Sequence, residues 1–167
     1  MEQAVATTSG HDLDAIHGDN LENFVTFYVK DQLFGIPVLK VQDILTPDRI
    51  APIPLAPPEV AGAINLRGRI VTVLDVRVRL GLEESETVNG KMGVTIEHEH
   101  DLYTLLVDRV GDVIGLEKDL YESTPSTLDA LWRDFSSGVF RLEGKIMVVL
   151  DVERLLNIGG EDNPAKN

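Results

Sequence analysis

The chain contains no cysteine among its 167 residues. Disulfide bonds, thiolate nucleophiles, zinc–thiolate sites and iron–sulfur clusters are therefore excluded, and a reducing cytoplasmic location is the expectation. Long apolar runs are also missing, because no stretch approaches the roughly 18 residues that a membrane-spanning helix needs. The N-terminal residues lack a basic region followed by a long apolar stretch. We therefore expect neither a secretion signal nor direct insertion into a membrane.

Aromatic and basic residues are scarce. Aromatic side chains make up 5% of the chain, and its formal net charge is −13. Nucleic-acid binding needs a basic face, and single-strand binding adds stacking aromatic rings, so we expect no nucleic-acid partner. Basic residues are concentrated in one short segment that contains Arg67, Arg69, Arg77 and Arg79. This segment fits an acidic patch on a partner protein, although Arg77 and Arg79 fit a solvated strand and helix rim equally well.

Catalytic and cofactor motifs are missing as well. The chain has neither the GxxxxGK[ST] phosphate loop nor a GxGxxG dinucleotide motif. Its four histidines fall in a predicted tail and a predicted turn, so no Ser-His-Asp arrangement stands out. We expect no bound cofactor and no catalytic residues.

An internal repeat is the strongest positive signal. Residues 62–82 align with residues 138–158 without gaps, and residues 33–45 align more weakly with residues 102–114. A duplicated unit of about seventy residues predicts two similar modules. The identical pairs in the stronger alignment are Gly62/Gly138, Leu66/Leu142, Gly68/Gly144, Ile70/Ile146, Val73/Val149, Leu74/Leu150, Asp75/Asp151, Val76/Val152 and Leu80/Leu156.

Short alternating segments separated by turn residues predict an all-β fold. Each copy has about five such segments and one helical turn, which is typical of a small antiparallel barrel. Two modules of this size are expected to pack together as one folding body. The predicted divisions are a disordered acidic tail (1–22), barrel one (about 24–82), barrel two (about 91–150), a closing helix (151–157) and a mobile tail (159–167), with the ordered domain covering 23–158. The lone Trp132 is predicted to cover the second barrel.

Asp75 and Asp151 are equivalent acids in the two copies, and two interpretations are open. Each precedes a valine at the start of a helical segment, which favours an N-cap whose carboxylate accepts amide protons from the first turn. The alternative is a small enzyme with paired aspartates. That alternative requires both carboxylates within hydrogen-bonding reach of each other.

The segment Glu97–Asp101 (EHEHD) has the composition of a candidate metal site. On an extended hairpin, His98 and His100 share one face. The sequence places no third or fourth ligand beside them, so we expect no metal there.

The segments LFGIPVLKVQDIL (33–45), GAINLRGRIVTVLDVRVRLGL (62–82), LLVDRVGDVI (105–114) and GKIMVVLDVERLL (144–156) resemble the CheW-like coupling proteins of bacterial chemotaxis. The resemblance runs over about 24–158 without large gaps, and the INLRG…VLD signature is specific. It implies two five-stranded SH3-like barrels and a role without catalysis.

The resemblance also implies partners and a place of action. CheW-like adaptors connect the cytoplasmic hairpin tip of chemoreceptors to the regulatory domain of the chemotaxis histidine kinase, and they support assembly of the signalling array. The implied location is cytoplasmic, with recruitment to receptor arrays at the inner membrane. An alternative is a CheW-like adaptor of a receptor–kinase array that serves something other than swimming.

Carried over residue by residue, the resemblance implies a receptor-facing groove. Arg67 is the leading candidate in this groove. Its counterpart in the second copy is Glu143, so the positive charge is not repeated there, as expected for a residue that serves one partner. Asp43 is one methylene shorter than the glutamate often found at its position. The implied receptor-binding residues are Val41, Asp43, Gly62, Arg67, Met92 and Val113.

The kinase-facing surface is expected around Leu45 and Ile50. Both are apolar positions beside the proline-rich segment 46–60. An ordinary place in the hydrophobic core is the open alternative for these two residues.

Overall fold

The computed structural model describes residues 20–82 and 90–157. The predictions for the mobile tail (159–167) and for residues 1–19 lie outside the described residues. The strands are β1 (Leu21–Val29), β2 (Gln32–Pro37), β3 (Val41–Leu45), β4 (Val60–Leu66), β5 (Arg69–Asp75), β6 (Met92–His98), β7 (Asp101–Val107), β8 (Arg109–Glu117), β9 (Ser136–Leu142) and β10 (Lys145–Leu150). The helices are α1 (Val76–Arg79), α2 (Ala130–Asp134) and α3 (Val152–Leu156), with 3₁₀ turns at Val38–Lys40 and Lys118–Leu120. Across 20–82 and 90–157, no helix has the length and apolar character to cross a membrane.

The ten strands form two five-stranded sheets, which confirms the predicted all-β class. Sheet one has the order β9-β10-β2-β1-β8, and sheet two has the order β3-β6-β7-β5-β4. The sequence-based division into barrel one (24–82) and barrel two (91–150) is wrong. Sheet one combines β1 and β2 with the last three strands, whereas sheet two combines β3–β5 with β6 and β7. The two copies have exchanged a hairpin.

Each exchanged hairpin pairs with the other copy on both sides, through one antiparallel pair (β1 with β8, β6 with β3) and one parallel pair. β2 runs beside β10 with Leu33 opposite Met147, and β5 runs beside β7 with Leu74 opposite Leu105. Every other strand pair is antiparallel. A repeat cannot reveal this exchange, because equivalent residues meet the same surroundings whichever copy supplies the neighbouring strand.

Each sheet is closed by the segment that follows one of its edge strands. After β3, the Ala51 amide donates to the Ala63 carbonyl on β4 at 2.9 Å, and the Ala63 amide donates back at 2.8 Å. After β8, Glu122 pairs in the same way with Val139 on β9. Both segments join opposite edges of their own sheet, so each sheet curls into a barrel.

Three groups of buried side chains hold this arrangement together. The largest combines residues of both sheets. Its fully buried members include Phe27, Phe34, Val94, Leu105 and Leu155. Two smaller clusters belong to one sheet each: Phe24, Leu33, Leu116, Phe140, Met147 and Val149 in sheet one, and Ile64, Val71, Val73 and Leu106 in sheet two. The expectation of a single folding body therefore agrees with a core shared between the barrels.

Two boundaries differ from the sequence-based prediction. β1 begins at Leu21, so residues 21 and 22 of the predicted disordered tail are part of a strand. They are ordered because β8 is long enough to pair with them: Leu21 lies opposite Glu117 and Glu22 opposite Leu116. The predicted closing helix is confirmed as α3.

Candidate protein-binding site

The β4–β5 hairpin presents Arg67 at its tip. Arg67 and Gly68 have φ angles of 53° and 87°, so both central residues of this two-residue turn are left-handed, as a type I′ turn requires. The Asn65 side chain stabilises the turn by accepting the Gly68 amide at 2.9 Å. Glycine adopts this conformation freely, whereas an arginine in it carries a cost of about 1 kcal/mol.

Arg67 forms an ion pair with Asp43. The Arg67 Nη2 atom lies 2.8 Å from Asp43 Oδ2, and the exposed fractions of the two side chains are 74% and 23%. Asp43 lies on β3 and Arg67 joins β4 to β5, so the ion pair links the two edges of sheet two. The guanidinium is therefore held at one end and remains largely open to a partner.

The other receptor-binding candidates lie on four strands of the two sheets. Val41 lies on β3 with Asp43, and Met92 begins the neighbouring strand β6, where its sulfur accepts the Thr46 hydroxyl at 3.5 Å. Val41 and Met92 both pack half-buried against the shared core. Val41, Asp43 and Met92 therefore lie on the adjacent strands β3 and β6 of sheet two, and the ion pair brings Arg67 to β3.

Gly62 and Val113 differ from the rest of the set. Gly62 is buried on β4 with φ 148°, and a Cβ there would overlap the carbonyl oxygen of Ala51. Its absence of a side chain permits the barrel-closing contact of Ala51. Val113 is 58% exposed on β8 of sheet one, so a surface that includes all six candidates spans both barrels.

Leu45 and Ile50 both face inward. They are half-buried and pack against the sheet-two cluster of Ile64, Val71, Val73 and Leu106. Apolar side chains near them in sequence are open instead: Ile53 is 40% exposed and Leu55 is fully exposed.

Asp75 and Asp151 are helix caps, as the first interpretation predicted. Asp75 Oδ1 accepts the Arg77 amide at 3.0 Å at the start of α1. Asp151 Oδ1 accepts the Arg154 amide at 3.2 Å at the start of α3. Asp75 ends a strand of sheet two and Asp151 follows a strand of sheet one, so the two acids serve separate helices.

An ion cluster around Asp108 was missed by the sequence analysis. The Arg77 guanidinium donates to both Asp108 oxygens, with Nε–Oδ1 and Nη2–Oδ2 distances of 2.9 Å. Lys91 Nζ lies 2.9 Å from Oδ1, and the Lys30 amide donates to Oδ2 at 2.6 Å. Burial by itself raises the pKa of Asp108, but the hydrogen bonds from Arg77, Lys30 and Lys91 outweigh it and lower the pKa to about 2.

Arg77 and Arg79 are therefore structural, which neither sequence-based interpretation foresaw. The Arg79 side chain is 14% exposed, and its Nε donates to the Leu155 carbonyl at 2.8 Å, at the end of α3. Its guanidinium also lies 4.6 Å above the centre of the Phe135 ring. Both arginines bind segments far away in sequence, and no local pattern signals such contacts.

Trp132 lies at the junction of the barrels rather than over one of them. Its indole nitrogen donates to the Leu80 carbonyl at 3.0 Å, and its ring centre lies 5.6 Å from that of Phe34. Leu80 follows sheet two and Phe34 belongs to sheet one, so Trp132 connects the two.

The structure also assembles a side-chain group that the sequence did not. His98, Glu99 and Glu153 bring their candidate ligand atoms within 4.8 Å of one another. Glu153 lies on α3, 54 positions beyond Glu99 in the chain, so the EHEHD segment gave no sign of it.

The comparisons with known proteins agree on one family. The family model for the CheW-like domain matches residues 23–159. The chain belongs to the CheW-like family. Among curated relatives, the chemotaxis protein CheW of Treponema pallidum is 28% identical over 143 residues, which cover 83% of this chain and 84% of that protein. The chemotaxis protein CheW of Rhizobium meliloti is 29% identical over 129 residues, or 77% of this chain and 83% of that protein.

A solved structure extends the likeness to the fold. The crystal structure of the scaffolding protein TtCheW from Thermoanaerobacter tengcongensis matches with a TM-score of 0.75 and 25% sequence identity. The match covers 86% of this chain and 97% of that one. The CheW-like chain therefore has the fold of two SH3-like barrels.

Proposed function

We propose that this CheW-like chain is a scaffold without catalytic activity that couples chemoreceptors to the chemotaxis histidine kinase. The observation that carries the proposal is membership of the CheW-like family over the whole described domain, including both barrels. The relatives named above are chemotaxis proteins, and TtCheW is a scaffolding protein. The expected location is the cytoplasm, at receptor arrays beneath the inner membrane.

The receptor-binding surface is proposed on sheet two, with the Asp43–Arg67 ion pair at its centre. Arg67 is largely exposed, yet its guanidinium is positioned by Asp43 at 2.8 Å. A planar guanidinium presents five donors in a fixed fork, which suits a carboxylate on a receptor helix. Val41, Gly62 and Met92 shape the surface around it, and Val113 extends it to sheet one.

The kinase-binding surface is proposed around Leu45 and Ile50. Because both side chains face the sheet-two cluster, they support the shape of this region. The kinase itself would then contact exposed apolar neighbours such as Ile53 and Leu55 and cover them.

The test is a three-component pull-down with the receptor cytoplasmic hairpin, the kinase and this chain. Receptor and kinase are expected to associate only when the chain is present. Arg67→Glu is expected to reduce receptor capture at least about tenfold, which corresponds to one charge-assisted contact of about 1.4 kcal/mol. Arg69→Glu is the matched control, because it makes the same charge change two residues away on the same exposed hairpin.

Two results would contradict the proposal at different levels. Association of receptor and kinase without this chain would remove the scaffold function. An equal loss of receptor capture in the Arg67→Glu and Arg69→Glu variants would leave the scaffold function intact. It would show that Arg67 acts only through the overall positive charge of the hairpin.

A further inference from the structure

The β6–β7 hairpin and α3 bring a mixed set of ligand side chains together. His98 is the last residue of β6, Glu99 is the first residue of the turn, and Glu153 is the second residue of α3. Their candidate ligand atoms all lie within 4.8 Å of one another, and His98 Nε2 lies 3.7 Å from the Glu99 carboxylate. The hairpin belongs to sheet two and α3 follows sheet one, so this group spans the junction between the barrels.

The first repeat shows what occupies the equivalent place there. Val29 pairs with Gln32 across the β1–β2 turn as His98 pairs with Asp101 across the β6–β7 turn. The residue that follows is left-handed in both turns, with φ 59° at Lys30 and 54° at Glu99. Glu99 is therefore the counterpart of Lys30.

The helix residue and the central anion have counterparts too. Glu153 aligns with Arg77 in the repeat of 62–82 over 138–158, and Leu39 aligns with Asp108 in the repeat of 33–45 over 102–114. In one half, the Arg77 guanidinium, the Lys91 ammonium and the Lys30 backbone amide surround the Asp108 carboxylate. In the other half, Glu153 takes the place of Arg77, Glu99 occupies the turn position of Lys30, and the position of Asp108 holds Leu39, which is 91% exposed.

At the helix position the charge is thus inverted, from the cation Arg77 to the anion Glu153, and Leu39 supplies no carboxylate where the first site has Asp108. Two carboxylates and one imidazole attract a cation where the other half holds an anion. The position is open to solvent, because a surface depression lined by Leu39, Lys40, Glu97, Glu99 and His100 lies beside it.

We propose that His98, Glu99 and Glu153 bind a divalent transition-metal ion of the Zn²⁺ class. One imidazole nitrogen with two carboxylate oxygens is a donor set that such ions accept, with water at the remaining position. Harder ions such as Mg²⁺ prefer all-oxygen ligands, so the imidazole favours zinc over magnesium. The bound ion ties the β6–β7 hairpin of sheet two to α3 and thereby fixes one barrel against the other.

The test is calorimetric titration of the full chain with zinc chloride, and with magnesium chloride for comparison. We expect one zinc ion per chain and at least about tenfold weaker binding in His98→Ala and Glu153→Gln. Zinc at about one hundred times its dissociation constant is expected to raise Tm by roughly 5–10 °C. His100→Ala, and the double change His11→Ala with His17→Ala, serve as controls that retain zinc binding.

The proposal is overturned if zinc binds the His98→Ala and Glu153→Gln variants as tightly as the unchanged chain, or fails to bind at about millimolar concentration. Loss of binding only in the His11/His17 double variant would assign the zinc to the N-terminal residues instead. Equal affinity for magnesium would reduce the group to an unspecific acidic surface. Glu153→Gln keeps the size of an exposed side chain, so the test holds even if His98→Ala disturbs folding.

Discussion

The guanidinium of Arg67 lies 2.8 Å from the carboxylate of Asp43, and this contact connects the two outermost strands of the second five-stranded sheet. Arg67 is thereby held in a defined direction while three quarters of its side chain remain exposed. An ion pair this open contributes about 0–1 kcal/mol to stability. Its value to the protein therefore lies in positioning the guanidinium.

Replacing Arg67 separates binding from stability. Arg67→Gly removes the guanidinium but relieves the left-handed backbone cost at φ 53°, so Tm is expected to stay within about 2–4 °C of the unchanged protein. Receptor capture is expected to fall as in Arg67→Glu. Differential scanning calorimetry and the pull-down together check this. A Tm loss well beyond that range would assign Arg67 to barrel closure.

Exchanging the charges of the pair tests which member the partner contacts. The double variant Asp43→Arg with Arg67→Asp rebuilds an ion pair with opposite direction. If the receptor contacts the guanidinium directly, capture stays low although stability returns to within about 1 kcal/mol. Recovery of capture in the double variant would mean that the ion pair acts only by holding the two strands together.

Asp108 gives the stability of the protein a defined pH dependence. Its pKa is about 2 in the folded chain and near 3.8 ordinarily, so the carboxylate contributes about 2 kcal/mol above pH 4. This contribution decreases as the pH falls from 4 towards 2, where the folded chain also takes up the proton. Asp108→Asn is therefore expected to destabilise the protein at pH 7 by at least about 2 kcal/mol, because it also leaves the buried Lys91 ammonium without its partner.

Urea unfolding of both proteins between pH 2 and pH 7 measures this effect. The difference in unfolding free energy is expected to shrink steadily as the pH falls below 4. A difference that stays constant over that range would show that Asp108 stabilises the fold by shape and not by charge.

Gly62 and Gly68 form a matched pair for backbone replacement. A Cβ at Gly62 would overlap the Ala51 carbonyl oxygen, whereas a Cβ at Gly68 meets nothing within 4 Å. Both glycines have positive φ, so Gly68→Ala reports the conformational cost alone, about 1 kcal/mol. Gly62→Ala is expected to cost at least about 2 kcal/mol more, since Ala51 must move off β4. Equal Tm losses in the two variants would argue against closure of the barrel through Ala51.

The hairpin exchange predicts that neither repeat folds alone. A chain cut within residues 83–89 yields one fragment with β1–β5 and another with β6–β10, and each sheet needs strands from both. Circular dichroism of the separate fragments is expected to lack a cooperative thermal transition. Mixing them in equal amounts is expected to restore it. A cooperative transition in either fragment by itself would contradict the exchange.

The sequence predicted the local structure of this protein well. Hairpin turns such as Arg67-Gly68 depend on residues at the turn, and the caps at Asp75 and Asp151 depend on amides two or three positions away. Such short-range contacts leave a pattern in the sequence. The repeat added the equivalence of the two halves, and the resemblance added the SH3-like barrels.

The contacts between halves were not predictable in the same way. The division into 24–82 and 91–150 failed because a repeat carries no record of which copy supplies the adjoining strand. The Asp108 cluster was missed because Arg77, Lys91 and Lys30 reach it from 31, 17 and 78 positions away. Glu153 was missed beside His98 for the same reason. The proposed receptor-binding residues rest on the resemblance, and the structure adds the Asp43–Arg67 pairing to them.

Within residues 20–82 and 90–157, the first and last strands both belong to sheet one, where only β2 separates β1 from β10. A fluorescent reporter or purification tag fused at either terminus is consequently tethered to the barrel opposite the one that carries Arg67. Imaging that tests the proposed recruitment to receptor arrays can therefore use fusions at both ends, and the two fusions should report the same distribution in the cell.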